Sequence, residues 1–499
     1  MSGGPSTEAG LQEAVLRVAA EVAREVRQGG MPAARLDMGS SLERDLGLDS
    51  LGRAEVVVRL EREFGVSLPE SVLGTAETPG DLARAVATAA NPEALAGGGG
   101  SAAAGMAGRA GWGGLGAGAE GSVGFAGSGE EGVGPAGVWG QAEAAPERTR
   151  TLVEVLEWHA ERHPGRRHLL FYPGDGAPEE LTYGDLLRRA RRVAAGLRAM
   201  GVGVGPEAGV GGGGGGGEEG EGGKPAVALM LPSGHDYFVA FFGVLLAGAV
   251  PVPLYPPARR SQIEDHLRRQ AGILTVSRAV ALVTFPEVMT AARLLRAQVE
   301  GLGRVVTVAG LEAEPAKDAA SAESRKGEGD AGGELALLQF TSGSTGRPKG
   351  VMLTHANLLA NLRAIGKAVA IGPRDVVVSW LPLYHDMGLI GAWMASLYYG
   401  IPLVLMSPLT FLAHPARWLQ AISRHRGTLS AAPNFAYELC ARKVSDAEIA
   451  GIDLASWRFA LNGAEPVSPD AMERFGERFE KHGFRRTAMA PVYGLAECS

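Results

Sequence analysis

The chain has 499 residues, 45% apolar and 21% charged, a balance that excludes a wholly disordered protein. At roughly 150 residues per domain, this length suggests about three structural units. Glycine is in excess at 74 residues, about twice the usual share, and with no G-X-Y period collagen is excluded and the surplus belongs to linkers. A net charge of −7 advertises no nucleic-acid or anionic-membrane partner, and two cysteines, Cys440 and Cys498, cannot by themselves build a disulfide framework or a zinc site.

The N-terminus MSGGPSTEAG lacks the charged and apolar regions of a secretory signal, and Glu13, Glu21 and Glu25 argue against a transit peptide in residues 11–29. A cytoplasmic location is the expectation. Leu11, Val15, Val18, Val22 and Val26 recur at helical spacing. Leu51, Val57, Leu60 and Phe64 form a second stripe, and TPGDLARAVATAA opens a last helix with Thr78 or Asp81 near its start. Three or four helices in residues 8–90 predict a small bundle. Residues 97–140 hold 19 glycines in 44 positions and cannot offset their ordering entropy by burial. The stretch 91–148 therefore reads as a flexible linker; some 50 such residues reach roughly 40 Å.

From residue 149 the pattern alternates. Helical stretches at Thr182–Met200 and Phe238–Ala247 are interleaved with apolar runs at Ala226–Leu231, Val250–Leu254, Leu335–Phe340, Val376–Trp380, Pro402–Leu405 and Phe459–Leu461. This predicts layered α/β structure with buried, largely parallel strands. The glycine run at 211–217 and the segment 312–333 read as surface insertions. The uncharged run Tyr237–Pro257 approaches the length of a membrane span, but its glycines and prolines favour a buried helix leading into a buried strand, so no transmembrane segment is expected. His159 and His163 stand at i and i+4 without the H-E-x-x-H pattern and read as part of an exposed helix; His425 and His482 read as surface histidines, and Cys440, Trp380 and Trp393 as core.

Two stretches carry chemistry. Ser50, after Asp49 in LGLDSLGRAE, stands at a predicted helix start, where a serine can cap the helix or serve as an attachment point. With EFGVSLPES and ETPGDLA behind it, the region 8–90 resembles an acyl carrier protein. That resemblance implies esterification of Ser50 by 4′-phosphopantetheine, a phosphopantetheinyl transferase as partner, and Glu55, Glu61 and Glu63 as contacts for basic enzymes. The second stretch, ELALLQFTSGSTGRPKG, runs from a strand into a Gly/Ser/Thr loop whose N–H groups, hydroxyls and lysine suit phosphates. Pro348 stands where a Walker loop has its second glycine, and VMLT continues as a strand, which disfavours a kinase- or GTPase-type loop.

TSGSTGRPKG resembles the signature loop of the adenylate-forming superfamily, and WLPLYHDMGLIG, SAAPNFAYELCARK, LNGAEPV and VYGLAE follow in that family's order over 149–499. The wording resembles the fatty-acyl-AMP ligases. The resemblance implies an α/β fold of layered subdomains that binds ATP and Mg²⁺ and converts a fatty acid to its acyl-adenylate. Carried over residue by residue, Thr341, Ser342, Ser344, Thr345 and Lys349 would hold the β- and γ-phosphates. Gly463, Ala464 and Glu465 would line the adenine beside Tyr493 and Gly494, Glu497 would coordinate Mg²⁺, and His385 would border the acyl and pantetheine approach. Lys349, His385 and Glu497 are the catalytic candidates. The family continues past the glutamate motif with a ribose-binding aspartate, a hinge and a small domain bearing a further lysine; the sequence stops at Ser499. A C-terminal truncation is therefore expected, with a split enzyme or a degenerate domain as alternatives. Loading of a carrier thiol, on Ser50 in cis or on a partner for a downstream synthase, is the expected function. A CoA ligase and a carrier protein with an inactive ligase half remain the other readings.

Overall fold

A computed structural model describes residues 8–26, 36–42, 45–46, 48, 56–57, 59–61, 63–64, 66, 68, 72, 76–90, 143–174, 176–203, 224–257, 263–314, 331–341 and 348–498. The chain divides into two compact units, Met1–Gly127 with Pro257–Glu264, and Ser128–Pro256 with Asp265–Ser499.

In the first unit, α1 (Glu8–Val26) buries Val15, Val18 and Val22, the stripe expected from their spacing. Leu42, Leu46, Leu48, Val56, Val57 and Leu60 are buried too. Helix α2 (Pro79–Ala90) begins with a reciprocal cap, in which Thr78 Oγ1 accepts from the Asp81 N–H at 3.2 Å and Asp81 Oδ2 accepts from the Thr78 N–H at 2.9 Å. Proline at the first helical position completes the start signal.

The second unit opens with α3 (Leu152–Arg162), β1 (Arg167–Tyr172), β2 (Glu179–Thr182) and α4 (Tyr183–Ala199), then β3 (Ala226–Met230), α5 (His235–Leu246) and β4 (Val250–Leu254). After α6 (Ile263–Ser277) come β5 (Ala279–Thr284), α7 (Met289–Gln298), β6 (Arg304–Thr307) and α8 (Val308–Ala313). The strands β4-β3-β5-β6 form a four-stranded parallel sheet. Pro251 and Pro253 lie in β4, at its edge, where a missing N–H breaks no ladder. Alongside β4 runs an antiparallel hairpin, β7 (Leu335–Thr341) and β8 (Lys349–Thr354), whose capping box at Thr354–Asn357 starts α9 (His355–Ala368).

The remaining elements complete a larger sheet. They are β9 (Val377–Ser379), α10 (Ala395–Tyr399), β10 (Leu403–Met406), α11 (Pro408–Ala413), α12 (Ala416–His425), β11 (Leu429–Ala432), α13 (Asn434–Lys443), β12 (Phe459–Asn462), α14 (Pro469–Glu480) and β13 (Met489–Pro491). The order is β13-β12-β11-β9-β10-β1-β2, parallel throughout except for β2. At the amino ends of its central strands, Arg458 grips Asp375 through two bonds of 2.8 and 2.7 Å, and Thr428 donates to the same carboxylate at 2.7 Å. Burial works against the Asp375 charge, yet the Arg458 and Thr428 bonds keep its pKa below the usual carboxylate value.

The uncharged run expected to be buried is so: all of α5 from Tyr237 to Leu246 lies in the core, with Trp393 edge-on to Phe238 at 4.7 Å and to Phe241 at 5.1 Å. No helix among the described residues is long and apolar enough to cross a membrane. Residues 143–148, grouped with the linker in the sequence, include Ala145, whose N–H donates to the Tyr398 carbonyl at 2.7 Å. Two histidine expectations are corrected. His159 sits in the last turn of α3, wholly buried and stacked on Tyr183 at 4.7 Å; His425 is bonded to the Tyr172 hydroxyl at 2.6 Å. Spacing put His159 on a helix but could not say which side faces the core, and no pattern marked His425.

Four imidazoles are buried among the described residues of this unit, His266 and three with these contacts. His168 Nε2 accepts from the Trp393 N–H at 2.9 Å, His355 Nδ1 accepts from the Leu152 N–H at 3.2 Å, and His159 Nε2 faces the Tyr398 carbonyl at 3.4 Å. Burial pulls His168 down to about 3 and pulls His159 and His355 down to about 4. Below pH 6.5 the unfolded chain takes up protons that these folded rings refuse. Stability is therefore lost as pH falls from 6.5 towards 4, by about 1.4 kcal/mol per pH unit for each ring. Thermal melts should show a midpoint that is flat from pH 7.5 to 6.5 and falls below it. His355→Asn, which keeps an acceptor near the Nδ1 position, should shallow the fall; an unchanged slope would contradict this account.

Candidate active site at the carboxyl ends of the parallel strands

Because β11, β12 and β13 run parallel with Ala432, Asn462 and Pro491 in register, the segments that follow them emerge at one edge. In open parallel sheets this edge is where ligands bind. The backbone there is tightly tied. Gly463 N–H donates to the Ala432 carbonyl at 3.2 Å, and Val492 N–H to the Asn462 carbonyl at 2.8 Å. The wholly buried Asn462 donates to Asn434 Oδ1 at 3.2 Å, and the Ser468 N–H reaches the same oxygen at 2.9 Å. A Cβ on Gly463 would lie 2.6 Å from the Val492 carbonyl oxygen, so only glycine permits this approach. Ala464 follows with φ of 68°, a left-handed conformation costly for alanine. Glu465 Oε1 accepts from the Phe435 N–H at 2.7 Å, at the N-terminus of α13.

The side chains beyond this anchored backbone are open. Tyr493 is 88% exposed, Gly494 has empty space where a Cβ would stand, and Glu497 is exposed in the short turn Ala496–Cys498. A bare aromatic face beside a glycine is a stacking platform. Among the described residues no group of three His, Cys, Asp or Glu side chains could hold a metal. Glu497 alone suits Mg²⁺, which commonly takes one or two carboxylates and completes its shell with substrate phosphates and water. The exposed donor set therefore fits a magnesium nucleotide.

The phosphate-loop stretch is bounded by β7 and β8, with Thr341 paired to Lys349. Lys349 is exposed and makes no ion pair among the described residues. Ser342, Ser344 and Thr345 lie outside the described residues, as does Ser50. The hairpin is joined to the segment after β9: Gln339 Nε2 donates to the Tyr384 carbonyl at 2.7 Å, and the Tyr237 hydroxyl donates to the neighbouring Leu383 carbonyl at 2.7 Å. His385 comes next, its Nδ1 2.7 Å from Asp386 Oδ1. A π-helix, Met387–Met394, follows at once, a form that recurs at functional sites.

Of the residues expected from the sequence, the structure gathers Gly463, Ala464, Glu465, Tyr493, Gly494 and Glu497 on the edge formed by β12 and β13. Thr341 and Lys349 belong to the hairpin that Gln339 joins to the His385 segment. Asp386, Gln339, Tyr237 and Asn434 were not singled out. A polar residue inside the apolar run LALLQF was the available signal for Gln339, and a histidine–aspartate dipeptide the signal for Asp386.

Known proteins share this chain's sequence motifs and fold. The sequence model of the AMP-binding enzymes matches residues 218–499, and that of the phosphopantetheine attachment site matches residues 15–86. The chain belongs to the AMP-binding enzyme family. A phosphopantetheine-binding domain precedes its AMP-binding domain, and the fold is the adenylate-forming α/β fold. Among relatives, the medium-chain-fatty-acid–[acyl-carrier-protein] ligase JamA of Moorena producens is 35% identical over 350 residues, 70% of this chain and 55% of that one. The long-chain-fatty-acid–AMP ligase FadD26 of Mycobacterium marinum is 34% identical over 366 residues, 71% of this chain and 57% of that one. The fatty acyl-adenylate ligase of L. pneumophila, solved with acyl adenylate and pyrophosphate, is 33% identical with a TM-score of 0.60, covering 71% of this chain and 57% of that one. The chain thus spans about half the length of the relatives it matches.

The glycine geometry is testable. Gly463→Ala should lower the free energy of unfolding by about 1–3 kcal/mol, the usual cost of forcing an extra methyl into packed structure. Gly494→Ala, with open space at its Cβ, should stay within about 0.5 kcal/mol of the parent. Urea denaturation of both checks the contrast, and equal effects would mean that the two strand ends are not in contact.

Proposed function

We propose that this protein uses ATP to convert a fatty acid to its acyl-adenylate and passes the acyl group to a phosphopantetheine thiol. The observation that carries the reading is the union, in one chain, of a phosphopantetheine-attachment region with an AMP-binding domain. In this reading the substrate carboxylate attacks the α-phosphorus of ATP, forming the acyl–phosphate bond as the bond to pyrophosphate breaks. Tyr493 stacks on the adenine beside Gly463, Ala464 and Gly494, while Glu465 braces the segment from the α13 terminus. Thr341, Ser342, Ser344, Thr345 and Lys349 hold the β- and γ-phosphates; Glu497 takes the Mg²⁺, whose charge, when bound, offsets that of the leaving pyrophosphate. His385 borders the reacting carboxyl group. Catalysis is then positioning and charge stabilisation. Ser50 carries the 4′-phosphopantetheine, attached by a phosphopantetheinyl transferase, and delivers the acyl group to a downstream synthase. A cytoplasmic setting fits the consumption of ATP.

Intact-protein mass spectrometry tests this. After treatment with a phosphopantetheinyl transferase and CoA, the chain should gain one phosphopantetheine increment, absent in Ser50→Ala. With ATP, Mg²⁺ and a panel of fatty acids it should then gain an acyl increment. Lys349→Ala and Glu497→Gln should each slow the acyl step by about 10²–10³-fold, the scale for removing a charge-stabilising group. No first increment would refute the carrier assignment; acylation independent of ATP would refute the adenylate route.

A further inference from the structure

We propose, resting on the reading that this edge activates a carboxylate, that Asp386 is a positioning residue: it fixes the His385 ring through Nδ1 and leaves the Nε2–H edge to donate to the oxygen of the acyl substrate.

The geometry is specific. His385 Nδ1 stands 2.7 Å from Asp386 Oδ1, and the same oxygen accepts from the Met387 N–H at 2.7 Å, capping the π-helix. Bound to the helix start, the carboxylate cannot follow a rotating ring. The backbone around it is equally constrained. Leu383 and Tyr384 have their carbonyls held by Tyr237 and Gln339, and Leu389 N–H donates to the His385 carbonyl at 2.8 Å. A Cβ on Gly388 would lie 2.4 Å from the Pro382 carbonyl oxygen, so the turn closes only with glycine there.

His385 is half exposed, and its Nε2 bonds to no described residue. A half-exposed ion pair contributes little stability, so holding one ring edge this firmly is better explained by what the other edge contacts. Tyr384 and Tyr255 have ring centres 5.8 Å apart, and Arg269 lies over Tyr255 at 5.7 Å. Among the described residues, Asp386 is the charged group that acts on His385. Its hydrogen bond, followed by its charge, raises the His385 pKa above the ordinary value despite burial. The ring therefore keeps both N–H groups to a higher pH than a free histidine, and Nε2 donation is lost as pH rises through that raised value.

The test uses the full chain with a non-hydrolysable acyl-adenylate mimic, an adenosine acyl-sulfamate with a twelve-carbon chain, and AMP as the ligand lacking the acyl oxygens. At a pH between the His385 midpoints of the wild type and the variant, Asp386→Asn should weaken the mimic about tenfold while leaving AMP within about twofold, the scale of a lost charge-assisted bond. Asp386→Ser, which keeps a capping oxygen but loses the charge, should do the same, separating the pair from the cap. Asp386→Glu should recover part of the loss. In histidine-labelled protein, NMR titration of the free chain should place the His385 midpoint lower in both uncharged variants. Unchanged midpoints with unchanged mimic affinity would overturn the proposal. Wild-type protein that binds AMP but not the mimic would overturn the carboxylate-activating reading, and this inference with it.

Discussion

The site depends first on strand direction. Six strands of the larger sheet run parallel, so every segment leaving their carboxyl ends opens on the same edge, whatever its length or composition. The amino ends are closed by the Asp375–Arg458–Thr428 cluster, which joins the lead-ins to β9, β11 and β12 through charge-assisted bonds. With one end of the strands pinned, the glycine-containing segments at the other can give up side-chain packing and still hold their place. The backbone at Asn462, Gly463 and Val492 is bonded across three strands while the Ala464 and Tyr493 side chains are exposed.

The hairpin adds a second constraint that the sheet does not supply. A phosphate loop placed only by its own two strands would be free to swing, since an isolated two-stranded ribbon is marginally stable. Here β7 runs beside β4, and Gln339, buried among apolar neighbours, donates to the Tyr384 carbonyl. This bond places Lys349, through β7, in fixed relation to the His385 segment. The buried amide therefore couples the part of the site suited to phosphate with the part suited to the carboxylate. A buried donor without such a partner would cost about 1–3 kcal/mol, which is why the coupling is firm rather than incidental.

Much of this was legible in the sequence, for identifiable reasons. Buried strands read as near-continuous apolar runs, which is why the parallel Ala226–Met230 and Val250–Leu254, and the hairpin strand Leu335–Thr341, could be placed from composition. Ala279–Thr284, AVALVT, is such a run and was still passed over, but three others that escaped are chemically different. Leu429–Ala432 is LSAA, Met489–Pro491 is MAP, and Arg167–Tyr172 begins with a charged and an aromatic nitrogen base. Their strand character comes from pairing with neighbours, not from propensity. The motif residues were visible because glycine and lysine are informative at loops, and the structure supplies a steric reason for Gly463 and Gly388. Which polar side chains meet was not visible. Adjacency of His385 and Asp386 in the chain does not imply that they bond, and a bonded Asn434–Asn462 pair, 28 residues apart, leaves no local pattern.

Strain and charge at this edge follow one rule. Ala464 holds a left-handed backbone, Asn462 is buried with its amide in a shared network, and His385 and Asp386 both favour their charged forms though half withdrawn from water. For Asp386 burial opposes the charge and is outweighed by the bonds from His385 and Met387, the same arithmetic that governs Asp375 at the opposite end of the strands. The two carboxylates differ in what their partner can still do. Arg458 gives both of its bonding edges to Asp375 and to the Val369 and Ala370 carbonyls, so that cluster is complete. His385 gives one edge to Asp386 and keeps the other. A charge satisfied on every side holds a fold together, whereas a charge oriented on one side and open on the other is arranged to receive a ligand.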